Sequence, residues 1–511
     1  MMNAASILQN LFQNSNIQMG RPLVFRNGQI FFGTVQRLFP EQHAEIQIGA
    51  SRMIAKLEVP LKSGEGYWLQ AIGGEGETKL KLVGPQGRSG NDSREIQLLR
   101  QLSLPSDKSH VLLARMIMQQ QLPMSKDDIS NAAGWLKTAG STPAAQDAIK
   151  LMARLNLPFT EAIFHSILET GNDKPVTELA RELAAFLKER PQSAAGYRLY
   201  QMLTGLEANY NKEAASKVIR ELQQLALGSR QHPVSKTAEA LLSKLEIRPD
   251  ADDAKLVMQA AERLMKMEGQ AVGDKGKMGG GLLTESENEL FRRLAHRAEI
   301  QFGRQEAHQL LKQSISRTGL FYEGELARGG QPSPDLRDSL KPLLVQFVQE
   351  HAETAHKARE TAEQLLFRLN GQQLLSQDHG PIQHIMYEMP LPLGKEPVSL
   401  TMQWMGRQRD NGSIDPDHCR VLFYLNLESL KETIVDVHIQ NRVLTVNVIN
   451  GSMDLRNLAE PLIADLKHGL KEMDYILSAV HFRMPDKQEK GRQPAFGDIG
   501  RDSYTGVDFR I

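Results

Sequence analysis

The spacing of apolar residues changes twice along this 511-residue chain, and the two changes limit the folds it can adopt. Apolar and polar residues alternate from 21 to 84, apolar residues recur at helical intervals from 95 to 268 and from 284 to 372, and alternation returns from 383. A period of two is typical of strands with one buried face, and a period of 3.6 is typical of amphipathic helices. We therefore predict a multidomain protein with an N-terminal small β-barrel, a central all-α helical region and a C-terminal α+β two-layer domain.

The N-terminal part contains five short alternating segments with glycines between them, at 29–35, 44–49, 53–57, 67–72 and 78–83. Such regularly spaced short strands predict a small β-barrel over 21–84, after an N-terminal segment of residues 1–20. The size of the barrel is compatible with an oligonucleotide-binding type. Its aromatic residues, however, stand within apolar runs and its strands carry few cations. We therefore expect these aromatics to pack in the core, and we keep nucleic-acid binding by the barrel as an alternative function.

Helical spacing over 95–268 and 284–372 predicts two helical regions, separated by a Gly-rich linker at 269–283 and preceded by a second linker at 85–92. Helix starts are marked by capping-box spacing at Ser125 with Asp128 and at Thr284 with Glu287. The segment 122–125, Leu-Pro-Met-Ser, is matched 35 residues later by Leu-Pro-Phe-Thr at 157–160. This repetition favours stacked antiparallel helix pairs.

The C-terminal domain is predicted over 383–485, followed by a charged tail at 486–511. Its strands are expected at 385–391, 398–405, 420–427, 433–440, 442–449 and 475–484, with a tight hairpin at 440–442. A helix is expected at 454–473. Five leucines form its apolar stripe, namely Leu455, Leu458, Leu462, Leu466 and Leu470.

The charge and cysteine content restrict the classes of protein to which the chain can belong. Lys+Arg and Asp+Glu both number 61, so no excess of positive charge is available to drive nucleic-acid binding. The single cysteine, Cys419, excludes an internal disulfide and fits a reducing compartment. Residues 1–20 lack a cationic start, and no run approaches the roughly 20 apolar residues of a membrane span. We expect a soluble, cytoplasmic protein without a membrane span.

No group of residues with catalytic or metal-ligating spacing is found. The Lys275-Gly276-Lys277 stretch is not a phosphate loop, because Met278 follows where Ser or Thr would bind magnesium. Cys419 and His438 lack a third residue to orient the histidine, and the alternation around Cys419 predicts that it packs in the sheet. We therefore expect no enzymatic activity, no catalytic or metal-binding residues, no cofactor and no small-molecule substrate.

Two segments resemble flagellar hook-length control proteins. The first is the strand–loop–strand–hairpin stretch 421–449, with the leucine-striped helix after it. The second is the loop Gly319-Leu320-Phe321-Tyr322-Glu323, followed by residues to Leu326. The layout is most similar to relatives in spore-forming Gram-positive bacteria. A different interpretation of the loop is a hydrophobic anchor, in which 320–322 pack against adjacent helices.

The resemblance implies a partner and a site. In the family, the C-terminal domain contacts the cytoplasmic switch domain of a type III export-gate protein through a motif of Pro, two variable residues, Leu and Gly. In this sequence, Leu427 stands at the Pro position, Leu430 at the Leu position and Lys431 at the Gly position. The resemblance thus implies binding of an export-gate switch protein or its soluble paralogue by Leu425, Leu427, Leu430, Lys431 and Thr433.

Overall fold

The computed structural model shows the three regions that the periodicity predicts: a closed barrel, a helical region and a C-terminal sheet domain. The predicted segments 1–20, 85–92, 269–283 and 486–511 lie outside the described residues. The structure describes residues 25–49, 51–73, 79–83, 93–172, 174–189, 193–228, 232–251, 253, 256–257, 259–261, 263–264, 284–300, 304–329, 333–350, 356–376, 378–379, 382–391, 398–409, 413–427, 429–452 and 455–484.

The barrel closes in the strand order β1-β2-β3-β5-β4, with β3 and β5 parallel and the other pairs antiparallel. This order is that of the oligonucleotide-binding type of barrel. Phe31 is buried inside and stacks on Phe25, whereas Phe32 and Trp68 pack against the helical region. The expectation that the aromatic residues pack in cores is confirmed for Phe31, Phe32 and Trp68, whereas Phe39 is 41% exposed. The strands are β1 (Ile30–Leu38), β2 (His43–Ile48), β3 (Ser51–Leu57), β4 (Gly66–Ile72) and β5 (Lys79–Leu82).

The helical region follows the barrel in the sequence. Both predicted capping boxes form, one at Ser125 with Asp128 and the other at Thr284 with Glu287. Helices before the Gly-rich segment are α1 (Arg94–Gln101), α2 (Lys108–Gln120), α3 (Lys126–Thr138), α4 (Pro143–Arg154), α5 (Glu161–Thr170), α6 (Val176–Glu189), α7 (Ala194–Leu227) and α8 (Pro233–Lys244). Those after it are α9 (Glu285–Ile300), α10 (Arg304–Thr318), α11 (Tyr322–Ala327), α12 (Pro334–Arg337), α13 (Leu340–Glu350) and α14 (His356–Leu375).

The repeated Leu-Pro segments share one backbone geometry. The residue before each is left-handed, with φ of 53° at Gln121 and 52° at Asn156, and the leucine amide bonds to the carbonyl five residues earlier. This is the Schellman ending of a helix, which stops the helix and redirects the chain. Residues 103–105 repeat the geometry, with φ of 53° at Ser103. Helix pairs α2–α3 and α4–α5 are thus joined in the same way, as the repetition predicts.

The barrel is held on these junctions. Ile30 and Met124 exchange backbone hydrogen bonds of 2.8 and 3.2 Å between strand β1 and the first Leu-Pro segment. The Arg26 guanidinium donates to the Asn156 carbonyl at 2.8 Å, just before the second segment. One side of the barrel therefore rests on both helix-pair junctions.

The sequence predicted a loop over the whole segment Gly319–Leu326. In the structure helix α11 starts at Tyr322, so the prediction is wrong for the second part of the segment. Gly319 has φ of 77° and ends α10, and a Cβ there would lie 2.4 Å from the Ser339 hydroxyl. Leu320 packs beneath the C-terminal sheet, whereas Phe321 is 61% exposed. The hydrophobic anchor is thus formed by Leu320, and the expectation for Phe321 is wrong.

The C-terminal domain is a seven-stranded sheet in the order β12-β11-β10-β9-β8-β7-β6, antiparallel except for the β11–β12 pair. Helix α15 (Arg456–Lys471) packs on β12, and α10 packs on β7. Helices α6 and α14 also contact β7. The strands are β6 (Asp378–His379), β7 (Ile382–Leu391), β8 (Val398–Gln408), β9 (Ile414–Leu427), β10 (Lys431–Gln440), β11 (Val443–Asn450) and β12 (Ile476–Arg483).

The leucine stripe of α15 is only partly packed. Leu455 is buried and Leu470 packs on the sheet beside Ile463, but Leu458, Leu462 and Leu466 are 61%, 62% and 42% exposed. The predicted stripe as a whole therefore does not face the sheet. The helix contacts the sheet through the neighbouring row of side chains, which contains Ile463. Within the described parts of the chain, none of the helices combines the length and apolar character that a bilayer crossing requires.

Candidate partner-binding site

All five residues implied by the resemblance lie in the hairpin formed by β9 and β10. Leu427 pairs with Lys431, and Leu425 pairs with Thr433. Strand β10 begins at Lys431, two residues earlier than predicted, because the short turn lets pairing with β9 continue to the end of the hairpin. Leu425, Leu427 and Leu430 are half-buried, Lys431 is exposed and Thr433 is buried. We name residues 425–427 and 429–433 the switch hairpin.

The backbone of the switch hairpin has one unusual position. Lys431 has φ of 57°, in the left-handed region that a glycine occupies at little cost. An ordinary side chain in this conformation costs roughly 1–2 kcal/mol. The backbone at Lys431 therefore has a shape that the surrounding structure must maintain.

Asn450, at the end of β11, maintains that shape. It is buried, and its Nδ2 atom lies 2.6 Å from the Leu430 carbonyl, 3.2 Å from the Glu432 carbonyl and 2.8 Å from the Thr433 hydroxyl. Its Oδ1 atom accepts from the Ser452 amide at 2.8 Å. Sequence reasoning missed Asn450. The only signal was an asparagine that ends an alternating strand just before Gly451-Ser452.

A pocket of about 230 Å³ opens beside Asn450, at the same end of the sheet as the switch hairpin. Its walls come from the ends of β11 and β12 and from the start of α15. The lining residues are Val448, Asn450, Leu455, Arg456, Phe482, Arg483 and Met484. We name this the end pocket.

The opposite end of the sheet carries a network of ion pairs. Arg409 contacts Asp415 at 2.6 Å and Asp417 at 3.2 Å, and Arg442 contacts Asp417 at 2.8 Å. The His418 ring and the Arg409 guanidinium lower the pKa of Asp415 to about 2. These charges compensate one another.

The face of the sheet away from α15 contains a buried carboxylate. Asp436 receives two hydrogen bonds from Arg420, at 2.8 and 2.9 Å, and its Oδ1 atom lies 3.3 Å from His438 Nε2. Burial alone would raise the pKa of Asp436, but the bonds from His438 and Arg420 outweigh it and lower the pKa. This group ties β9 to β10.

Cys419 and His438 are not brought together. Cys419 pairs with Ile439, so it lies on the face opposite His438, and it is buried in the sheet as the alternation predicts. Burial raises the pKa of its thiol. Among the residues that the structure describes, no three His, Cys, Asp or Glu side chains are grouped closely enough to hold a metal ion.

The chain is similar to an uncharacterized Bacillus subtilis protein, YlqG. The two sequences are 25% identical over 93% of each chain. No protein-family model matches the sequence, and no solved structure matches it.

Proposed function

We propose that this chain is a non-enzymatic, cytoplasmic interaction protein of the flagellar hook-length control type. It binds the cytoplasmic switch domain of a type III export-gate protein, or a soluble paralogue of that domain, through the switch hairpin. In this proposal Leu427, Leu430 and Lys431 contact the partner. Leu425 and Thr433 hold the two strands in register.

The observation that carries the proposal is the backbone of Lys431. The family motif has glycine at this position, and Lys431 has the left-handed φ of 57° that favours glycine. The preceding Leu430 matches the motif's leucine, and its carbonyl is fixed by Asn450 at 2.6 Å. The geometry of the motif is thus compatible with this sequence even though two of its residues differ.

The two parts of the resemblance also meet in three dimensions. Thr318, just before the Gly-Leu-Phe-Tyr-Glu segment, bonds to the Tyr387 hydroxyl at 2.6 Å, and Leu320 packs in the cluster that includes Leu425. The segment therefore supports the side of the sheet from which the switch hairpin begins. This gives the segment a structural role consistent with a shared architecture.

The test is a calorimetric titration of the full chain with the purified cytoplasmic domain of an export-gate switch protein and with its soluble paralogue. We expect saturable binding of at least one of them. Leu430→Asp should weaken the interaction at least about tenfold, because it places a carboxylate in an apolar contact. Val443→Asp is the matched control, since Val443 is an exposed strand residue at the opposite end of the sheet.

The thermal unfolding temperatures of the two variants must be similar, so that a loss of binding reports the loss of the contact with the partner and not unfolding of the variant. If neither domain binds the wild-type chain, the proposed partner class is wrong. If both variants bind equally well, the assignment of the site to the switch hairpin is wrong.

The alternative function is nucleic-acid binding by the barrel, and the strand order of the barrel favours it. In barrels of this order, the β2–β3 face and adjacent loops bind oligonucleotides. That face carries Arg52 and Lys56 beside an Ile54 that is 64% exposed. A titration of the full chain with fluorescent single-stranded DNA tests it. Salt-sensitive binding that Arg52→Glu weakens supports this function, and a flat titration at low salt contradicts it.

A further inference from the structure

The segment that follows α10 has a left-handed glycine at each end. Gly319 has φ of 77° and Gly329 has φ of 75°. Glycine adopts this conformation at little cost and reaches many others, as a hinge requires. We name residues 319–329 the strap. Its helix, α11, contains no buried residue, and Phe321 and Leu326 are 61% and 46% exposed. A segment with so little burial can open without unfolding of the rest of the chain.

A buried lysine holds the strap. Lys341 on α13 has a side chain that is only 3% exposed, and its Nζ atom lies 2.5 Å from Glu323 Oε1. It also donates to the side-chain oxygen of Gln373 on α14. The Gln373 amide donates in turn to the Leu320 carbonyl and, at 3.4 Å, to the Glu323 carboxylate. We name Lys341, Gln373 and Glu323 the latch.

The latch joins a buried cation to an exposed carboxylate, since the Glu323 side chain is 51% exposed. Burial lowers the pKa of Lys341, and Glu323 opposes that shift. When the strap moves away, Glu323 becomes hydrated but Lys341 loses its counter-charge in a largely buried position, which is unfavourable. The latch therefore favours the closed strap.

The strap covers apolar surface that continues into the switch hairpin. Leu320 of the strap and Leu425 of the hairpin pack against the same three buried residues of the sheet, Tyr387, Met389 and Leu400. Departure of Leu320 uncovers part of this apolar surface beside Leu425.

We propose that the strap opens as a unit about Gly319 and Gly329, that the latch holds it closed, and that its opening extends the apolar surface offered by the switch hairpin. The hinges and the latch are properties of this chain alone. The link to the hairpin rests on the proposed function, because it concerns the partner bound there. A partner that takes up the uncovered surface favours the open strap, since a ligand shifts an equilibrium toward the state that it binds better.

Amide hydrogen exchange of the full chain, followed by mass spectrometry, tests the latch without any partner. Glu323→Gln removes the charge at constant size, so the strap amides should exchange at least about tenfold faster. Exchange in β8 and β9 should be unchanged, because the opening is local. Glu325→Gln is the matched control, since it removes the same charge two residues further along α11 and should change exchange by less than about twofold.

Lys341→Met distinguishes a latch from a general loss of packing. If Lys341 and Glu323 act through each other, the double variant with Glu323→Gln should exchange no faster than Lys341→Met alone. Accelerations that multiply in the double variant, unchanged strap exchange in Glu323→Gln, or an equal acceleration in Glu325→Gln would each overturn the latch.

Gly329→Ala tests the hinge. Alanine at φ of 75° strains the closed strap, so the strap amides should exchange about fivefold faster or more. Gly324→Ala is the control within α11, where a Cβ meets open space and alanine favours the helix, so exchange should slow. Equal effects of the two substitutions would overturn a hinge at Gly329.

Failure of this inference is distinguishable from failure of the proposed function. With a switch domain bound, the strap amides should exchange faster than in the free chain. Unchanged or slower exchange in such a complex would overturn the link to the hairpin. If no switch domain binds, the link falls with the proposed function, and the latch and hinge variants still decide whether the strap opens as proposed.

Discussion

Arg368 and Glu388 form an ion pair with 2.8 Å between Nε and Oε2, and each side chain is only 2% exposed. Arg368 lies on α14 and Glu388 on β7 of the C-terminal sheet. The guanidinium also donates to the Glu169 and Asn172 carbonyls, and the carboxylate accepts from the Val176 amide at 2.8 Å. The end of α5, the start of α6, α14 and the sheet therefore meet at one charged pair.

Loss of the cation should destabilise the protein strongly. Arg368→Met leaves the Glu388 carboxylate buried without its charged partner, which costs about 3–5 kcal/mol of unfolding free energy. Equilibrium denaturation in urea measures the change. Arg359→Met on the same helix is the control, because the Arg359–Glu363 pair is partly exposed and its loss should cost at most about 1 kcal/mol. Equal losses in the two variants would contradict a special role for the buried pair.

The contact between α5 and α14 depends on Gly371. A Cβ at this position would lie 2.3 Å from the Ser166 carbonyl oxygen and 2.3 Å from Thr170 Cγ2. Gly371→Ala should therefore push the helices apart and lower the unfolding free energy by about 1–3 kcal/mol. The control is Gly134→Ala, where a Cβ meets open space, and it should raise that free energy by about 0.5–1 kcal/mol. A neutral or stabilising Gly371→Ala would show that the helix contact is looser than the structure has it.

Periodicity alone predicts most of the fold, and the exceptions have identifiable causes. Strand β9 starts at Ile414, six residues before the predicted position. The sequence did not predict this part of the strand because Pro416 and two aspartates interrupt the alternation there. In the structure the start of β9 pairs with β8, with Gln408 opposite Ile414. The partial exposure of the α15 leucines was also unpredictable. Helical spacing shows which residues share a side, but only tertiary packing decides which side faces the sheet.

The candidate site was predictable only in part. Alternation together with the resemblance predicts Leu425 and Thr433 in one hairpin, and the structure shows them paired. Asn450 could not be found in this way, since its bonds join residues 17 to 20 positions apart. The end pocket requires the end of β12 to lie beside Leu455, which depends on the parallel pairing of β11 with β12.

The left-handed backbone at Lys431 gives a prediction about stability. Lys431→Gly removes the cost of the conformation but increases the freedom of the unfolded chain, so the unfolding free energy should change by less than about 1 kcal/mol. Lys431→Val places a β-branched side chain at φ of 57° and should lower it by about 1–3 kcal/mol. Thermal unfolding of both variants measures this. Equal stability of the Gly and Val variants would contradict the left-handed conformation.

Asp107 should make part of the stability dependent on pH. It caps α2 by accepting from the Ser109 and His110 amides at 3.1 Å, and it contacts Lys137 at 2.8 Å. Hydrogen bonds from Lys137 and from His110 hold its pKa well below the ordinary value. A carboxylate whose pKa is lowered by folding stabilises the native state above the unfolded pKa of about 3.9. That contribution is lost as the pH falls toward the folded pKa.

Asp107→Asn keeps an oxygen acceptor at the cap but removes the charge. The wild type should therefore exceed the variant by up to about 1 kcal/mol of unfolding free energy at neutral pH, since the group is partly exposed. The difference should shrink steadily below pH 4. Urea denaturation of both proteins at a series of pH values measures the difference. A difference that is the same at pH 7 and at pH 3 would mean that Asp107 stabilises the helix through its hydrogen bonds and not through its charge.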